Sequence, residues 1–300
     1  MRGPLFFLAL SALVGCSATG ERTQFTGSSS ASTGAGAGAG GSTGSTGTMG
    51  NGGSVAFDAG KPTDAGTSGP AEVFGQTAGT LYKLDPNTQV VTEVGNFKGC
   101  EGDVIDIALD KSGDMFGTTS GSVYKIDKTT AVCTHLADGA FPNSLSFVPA
   151  GTLDPNVEAL VGYDTDNNYI RIDTTTGAIS VIGAGILGDY ASSGDIVSVI
   201  GGGTYLTVTG GSAPPYCADC IVELDPKTGA IQKNIGALKH GAVFGLAYWG
   251  GSAYGFDANG EVFQIDLPSA TTTLIQVPNG SGLIWYGAGS TTSAPLIPTQ

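Results

Sequence analysis

Ile221-Val222-Glu223-Leu224-Asp225-Pro226-Lys227-Thr228-Gly229 holds a strand and the turn that ends it. Apolar and polar positions alternate up to Leu224, the period of a half-buried strand. Asp225 then opens a turn: its carboxylate can cap the main chain, Pro226 presets φ, and Gly229 suits the left-handed position. Four other segments align on the same Asp. They are Leu81-Tyr82-Lys83-Leu84-Asp85-Pro86, Val123-Tyr124-Lys125-Ile126-Asp127, Tyr169-Ile170-Arg171-Ile172-Asp173 and Val262-Phe263-Gln264-Ile265-Asp266. The aligned Asp residues fall 42, 46, 52 and 41 positions apart. A further strand follows each, as in Ala178-Ile179-Ser180-Val181-Ile182. Two precede it, as in Val104-Ile105-Asp106-Ile107-Ala108-Leu109 and Asp114-Met115-Phe116-Gly117-Thr118.

A unit of about 45 residues with four strands is the blade of a β-propeller. The expected fold is all-β, a five-bladed β-propeller. A six-bladed ring is the alternative, with a divergent blade inside the long third or fourth repeat. A β-sandwich would not need such regular units. The first repeat, from Val73, holds three strands. The chain ends with Gly282-Leu283-Ile284-Trp285-Tyr286-Gly287, which resembles the innermost strand Gly245-Leu246-Ala247-Tyr248-Trp249-Gly250. The terminal strand is therefore expected to complete blade one and remove an open sheet edge. The repeat resembles the NHL-like, quinoprotein-like and gluconolactonase-like propellers. Asp225-Pro226-Lys227-Thr228-Gly229 is similar to the quinoprotein turn, without the Trp that follows in that family.

Residues 1–15 read as a signal peptide. Arg2 precedes an apolar run from Leu5 to Val14, too short for the roughly 20 residues of a membrane span. Leu13-Val14-Gly15-Cys16 resembles the bacterial lipobox. That resemblance implies lipidation of Cys16, a membrane anchor and a place in the cell envelope, and Ser17 points to the outer membrane. Residues 16–71 hold runs such as Gly34-Ala35-Gly36-Ala37-Gly38-Ala39-Gly40-Gly41, which offer no apolar surface for a core and predict a disordered tether. Motif-like Gly-Xaa-Gly and Gly-Xaa-Ser patterns there lack the strand and helix that would make them sites. Asp58-Ala59-Gly60 and Asp64-Ala65-Gly66 resemble the style of myxobacterial surface lipoproteins. The propeller is expected over 72–290 and a tail over 291–300.

Of 300 residues, 50 are Gly, 13% are charged, and the net charge is −14. A chain so acidic is a poor match for nucleic acid, which demands a positive surface. The acids concentrate in the repeat region and favour cationic partners over anionic lipid. Four cysteines follow Cys16, an even number that favours disulfides in an exported protein. Cys100 lies just before blade two and Cys133 in its outer strand, where a disulfide would staple that blade, and a disulfide within Cys217-Ala218-Asp219-Cys220 would brace a long loop. The βαβ setting of a redox Cys-Xaa-Xaa-Cys is missing, and a zinc site would need four ligands at suitable spacing, with only His135 and His240 available as histidines.

Aligning the innermost strands puts Asp106, Ser144, Asp195, Gly245 and Gly282 at one level of a central channel. Asp106 and Asp195 are the candidate metal ligands, for Ca²⁺ as the hard cation that carboxylates suit. The gluconolactonase-like resemblance implies a metal at such a mouth. Asp164-Thr165-Asp166-Asn167-Asn168 opens like a calcium loop, but Tyr169 and Thr175 stand where Gly and Glu belong, so a hairpin turn is expected. Trp249, Trp285, Tyr248 and Tyr286 are expected in the core, and Tyr190, Tyr205 and Tyr216 near a ligand. Two scattered histidines assemble no catalytic triad in sequence. The leading reading is a lipid-anchored, non-catalytic recognition module for a protein, peptide or glycan, without a cofactor. The alternative is a calcium-dependent hydrolase or lactonase at the channel mouth.

Overall fold

The computed structural model describes residues 72–212, 216–278, 280 and 282–298. The signal peptide, Cys16 and the tether to residue 71 lie outside the described residues. Twenty strands form five four-stranded antiparallel sheets, and the described residues contain no helix. Blade one is built on β1 (Val73–Gln76), β2 (Thr80–Asp85) and β3 (Val90–Asn96). Blade two is β4 (Asp106–Leu109), β5 (Met115–Thr118), β6 (Ser122–Ile126) and β7 (Cys133–Asp138). Blade three is β8 (Ser146–Val148), β9 (Ala159–Tyr163), β10 (Tyr169–Ile172) and β11 (Ile179–Gly183). Blade four is β12 (Tyr190–Ser198), β13 (Thr204–Gly210), β14 (Cys217–Leu224) and β15 (Ile231–Ala237). Blade five is β16 (Val243–Trp249), β17 (Ser252–Asp257), β18 (Val262–Asp266) and β19 (Thr271–Ile275). The last strand, β20 (Gly287–Ser290), joins the inner edge of blade one by pairing with β1. Inner strands β4, β8, β12, β16 and β20 touch in succession, and β20 touches both β16 and β4. The molecule is thus a closed five-bladed β-propeller.

The closing ribbon sits four residues beyond its expected place. Leu283 to Tyr286 are not a strand; Phe74 pairs with Gly289 and Gln76 with Gly287. Trp285 is instead a plug between blades one and five, fully buried edge-on to Tyr82 (5.0 Å between centroids) and Phe256 (5.4 Å). Trp249 and Tyr248 are buried on β16 as expected, and Tyr286 is half-buried.

The aligned Asp begins each outer hairpin. Asp127 Oδ1 accepts the N–H of Thr129 (2.8 Å) and Thr130 (3.1 Å), and Asp173 Oδ1 accepts those of Thr175 and Thr176. Four residues after each Asp the chain turns left-handed, at Gln89, Ala131, Gly177, Gly229 and Ala270. Asp164 caps its own hairpin, accepting the N–H of Asp166 and Asn168, so that loop is the turn expected of it.

Disulfides join Cys100 to Cys133 and Cys217 to Cys220. The first ties the connection between blades one and two to the outer strand of blade two. After β20 the tail crosses the end of the ring where the hairpins between first and second strands lie. Thr291 Oγ1 donates to Asp110 O (2.7 Å), Thr292 Oγ1 to Glu158 Oε1 (2.5 Å), Ile200 N–H to Thr292 O (2.8 Å), and Gly250 N–H to Pro295 O (2.8 Å). One segment thereby touches blades two, three, four and five.

Candidate functional site

At the axis the structure brings Asp106 and Asp195 together, both fully buried. Asp195 lies in β12 at a bulge between Ser192 and Ile196. Its Oδ1 accepts the N–H of Ile196 (2.7 Å) and of Leu145 (3.3 Å), and its Oδ2 that of Leu246 (2.9 Å). One carboxylate thus pins the inner ends of blades three, four and five. Asp106 Oδ1 accepts the N–H of Ile107 (2.8 Å), while Oδ2 has no partner among the described residues. Thr118 Oγ1, which faces Asp106 in register, and Ser144 Oγ are also buried without partners among them.

Burial drives the Asp106 carboxyl well above the usual range, and the charge of Asp195 adds to it. Burial likewise raises Asp195, to about 8, against the pull of its N–H donors. Two such carboxyls cannot both ionise in a dry site. Both are held toward the protonated form, Asp106 the more strongly, because it has fewer donors to stabilise a charge. Gly245 belongs to this level as expected, but the fifth position is Gly287, not Gly282. A methyl on Gly287 would overlap Asp106 Oδ1, whereas nothing lies within 4 Å of one on Gly282. Gln76 completes the wall; its amide, oriented to suit its neighbours, donates to Gly287 O (2.7 Å) and accepts from Gly287 N–H (3.1 Å).

A second cluster escaped the sequence reading. His240, in the connection from blade four to blade five, meets Asp257 and Glu261 of the β17–β18 turn. His240 Nδ1 lies 2.8 Å from Glu261 Oε2 and 3.8 Å from Asp257 Oδ2, and its Nε2 lies 3.2 Å from Thr272 Oγ1. The ring stacks flat on Phe263 at 3.7 Å. A hydroxyl–imidazole–carboxylate chain therefore does form, contrary to expectation. Asp219 sits nearby, accepting from Ser193 Oγ (2.5 Å) and Ala242 N–H (2.6 Å). Burial raises both Asp219 and Asp257, and the Asp257 charge raises Asp219 further. The only spacing signal for this cluster was Asp257-Ala258-Asn259-Gly260-Glu261 itself, which reads as a turn; His240 is 21 residues away.

Of the three tyrosines expected near a ligand, Tyr216 is exposed, Tyr190 begins β12 and accepts from Asn234 Nδ2 (3.2 Å), and Tyr205 lies in β13 and packs parallel to Tyr248 against the core. Tyr205 is thereby removed from the set of free ligand contacts. A groove of about 600 Å³ runs along blade two, past Lys125 and Lys128. Both lysines are paired, with Asp114 and Glu72.

No family model matches the chain, and no curated protein matches it. Solved structures with some likeness include a protein of unknown function from Bacteroides caccae, at 14% identity and a TM-score of 0.36, covering 68% of this chain and 72% of that one. Another is the β-propeller domain of Cps50 (Swd1) from Myceliophteria thermophila, at 13% identity and a TM-score of 0.38, covering 69% and 71%. The fold assignment stands on the strand order above.

Proposed function

We propose that the protein is a lipid-anchored, extracytoplasmic recognition module, held at the bacterial outer membrane through Cys16, whose propeller binds a protein, peptide or glycan. One observation carries this reading. The central carboxylate Asp195 is engaged by main-chain N–H groups of three blades, so the axis serves to hold the ring together. The tail crosses one end, which leaves the opposite loop face, with the half-exposed Glu261, as the binding surface. Two disulfides fit an oxidising compartment. The net charge of −14 favours a cationic ligand surface.

Two measurements test it. Mass spectrometry of the mature N-terminus from a bacterial host is expected to find diacylglycerol on Cys16; an unmodified Cys16 defeats the anchor. Immobilised full-length protein is expected to retain basic peptides or glycans from defined arrays in a salt-dependent manner. No retention from either array defeats the recognition reading.

The calcium-dependent hydrolase or lactonase has one observation in its favour: Asp106 Oδ2, Thr118 Oγ1 and Ser144 Oγ are buried near the axis and unpartnered among the described residues. Thermal melting with Ca²⁺ and with a chelator separates the two readings. A calcium-dependent rise that Asp106→Asn abolishes supports the hydrolase; no shift removes it.

A further inference from the structure

We infer that His240, Asp257 and Glu261 form a binding site for a first-row divalent metal ion of the Zn²⁺ class, independent of the axial carboxylates. The donor atoms, His240 Nδ1, Asp257 Oδ2 and Glu261 Oε2, all lie within 4.8 Å of one another. A tetrahedral ion with bonds of about 2.0–2.1 Å holds its ligand atoms about 3.3–3.4 Å apart. The observed separations from Nδ1, 2.8 and 3.8 Å, bracket that value, so small side-chain rotations suffice.

The site is built rather than assembled from loose surface groups. Phe263 clamps the imidazole face, and Thr272 Oγ1 takes up Nε2, the outer hydrogen bond that fixes a ligating histidine. Asp257 is fully buried. Its Oδ1 accepts the N–H of Asn259 and Glu261 (both 2.9 Å), which aims Oδ2 at His240 with only a long contact (3.4 Å) from Asn259 Nδ2. Glu261 is half-exposed, which leaves a way in for the ion and a coordination position for water.

Neither a catalytic chain nor a simple hydrogen bond fits the cluster as well. A Thr272–His240–Glu261 catalytic chain needs one carboxylate on Nδ1, yet two converge there, with Asp219 near. A His240–Glu261 hydrogen bond made by a neutral imidazole leaves the buried Asp257, 3.8 Å from Nδ1, without a cation. A divalent ion answers both, since it neutralises two carboxylates while the neutral imidazole supplies nitrogen. The mixed nitrogen and oxygen donors favour Zn²⁺, Ni²⁺ or Co²⁺ over Ca²⁺, which takes six to eight oxygens.

The test is calorimetric titration of metal-stripped full-length protein with Zn²⁺, with thermal melting alongside. One site is expected, with a rise in melting temperature. His240→Phe keeps the stack on Phe263 but removes both nitrogens, and is expected to weaken binding at least 100-fold. Glu261→Gln, at a half-exposed position where folding is not at stake, is expected to weaken it at least tenfold. His135→Ala, at the other histidine, is expected to change nothing, and excess Ca²⁺ should not compete. Absence of Zn²⁺ binding at 100-fold excess overturns the site, as does binding that survives both His240→Phe and Glu261→Gln. Covalent labelling of Thr272 by an organophosphonate, without metal binding, would establish the catalytic chain in its place.

Discussion

Gly229 shows how a single hydrogen atom in place of a methyl fits two blades together. Its φ is 74°, and a Cβ there would overlap the Tyr169 ring. Tyr163 Oη donates to Gly229 O (2.5 Å) and Tyr169 Oη to Pro226 O (3.0 Å), so the turn of blade four is clasped by blade three. Gly229→Ala is therefore expected to cost roughly 2 kcal/mol or more, read from denaturant melts. Gln89 holds the equivalent position in blade one at φ 55° and is exposed. Gln89→Gly should relieve left-handed strain and stabilise by about 0.5 kcal/mol. A neutral Gly229→Ala, or a Gln89→Gly variant less stable than the parent, would contradict this account of the turn.

The axial carboxyls make a pH prediction. Both are raised in the folded protein above the unfolded value of about 3.9. Folding therefore favours the bound proton. The stability it contributes is fully present below about pH 4 and is lost as pH rises through the folded value, about 8 for Asp195. The expected loss is up to about 1.4 kcal/mol per pH unit across that window. Asp106→Asn supplies a permanent donor to Asp195 and should flatten the slope in melts from pH 5 to pH 9. An unchanged slope would mean that the pH dependence arises outside the axial pair.

Among the elements, the strands were readable because period-two alternation and a repeated Asp act locally: β6, β10, β14 and β18 lie where the aligned segments put them. The closing strand was misplaced for a reason outside local chemistry. Leu283-Ile284-Trp285-Tyr286 has the composition of a strand, whereas Gly287-Ala288-Gly289-Ser290 does not. At the crowded axis, however, the backbone of β20 must approach its neighbours closely, and bulk there is excluded. Packing overrides strand propensity. Likewise, Asp106 and Asp195 were found because they occupy equivalent places in the repeat, while His240 met Asp257 only through a connection that breaks it.

The disulfides can be ranked at this scale. Cys100–Cys133 closes a separation of 33 residues and Cys217–Cys220 one of 3. Loop-closure entropy gives about 3–4 kcal/mol for the first and about 1–2 kcal/mol for the second. The Cys100→Ser/Cys133→Ser double variant is expected to melt well below Cys217→Ser/Cys220→Ser. The reverse order would mean that strain or packing dominates.

For the whole molecule, three features converge on one arrangement. Trp285 wedges blades one and five, Asp195 pins three blades at the axis, and the tail after Ser290 binds four blades across one end. The first and the last of these depend on the ring being shut by the last strand. A propeller closed in this way should unfold as a unit, because the first blade lacks its inner edge until the end of the chain arrives. Native-state hydrogen exchange on full-length protein measures this directly. The hydrogen-bonded amides of Val73–Gln76 and Gly287–Ser290 are expected to exchange with the same free energy as those of Val243–Trp249, through global opening only. Exchange of Gly287–Ser290 at the rate of exposed loops, with Val243–Trp249 still protected, would contradict ring closure by β20.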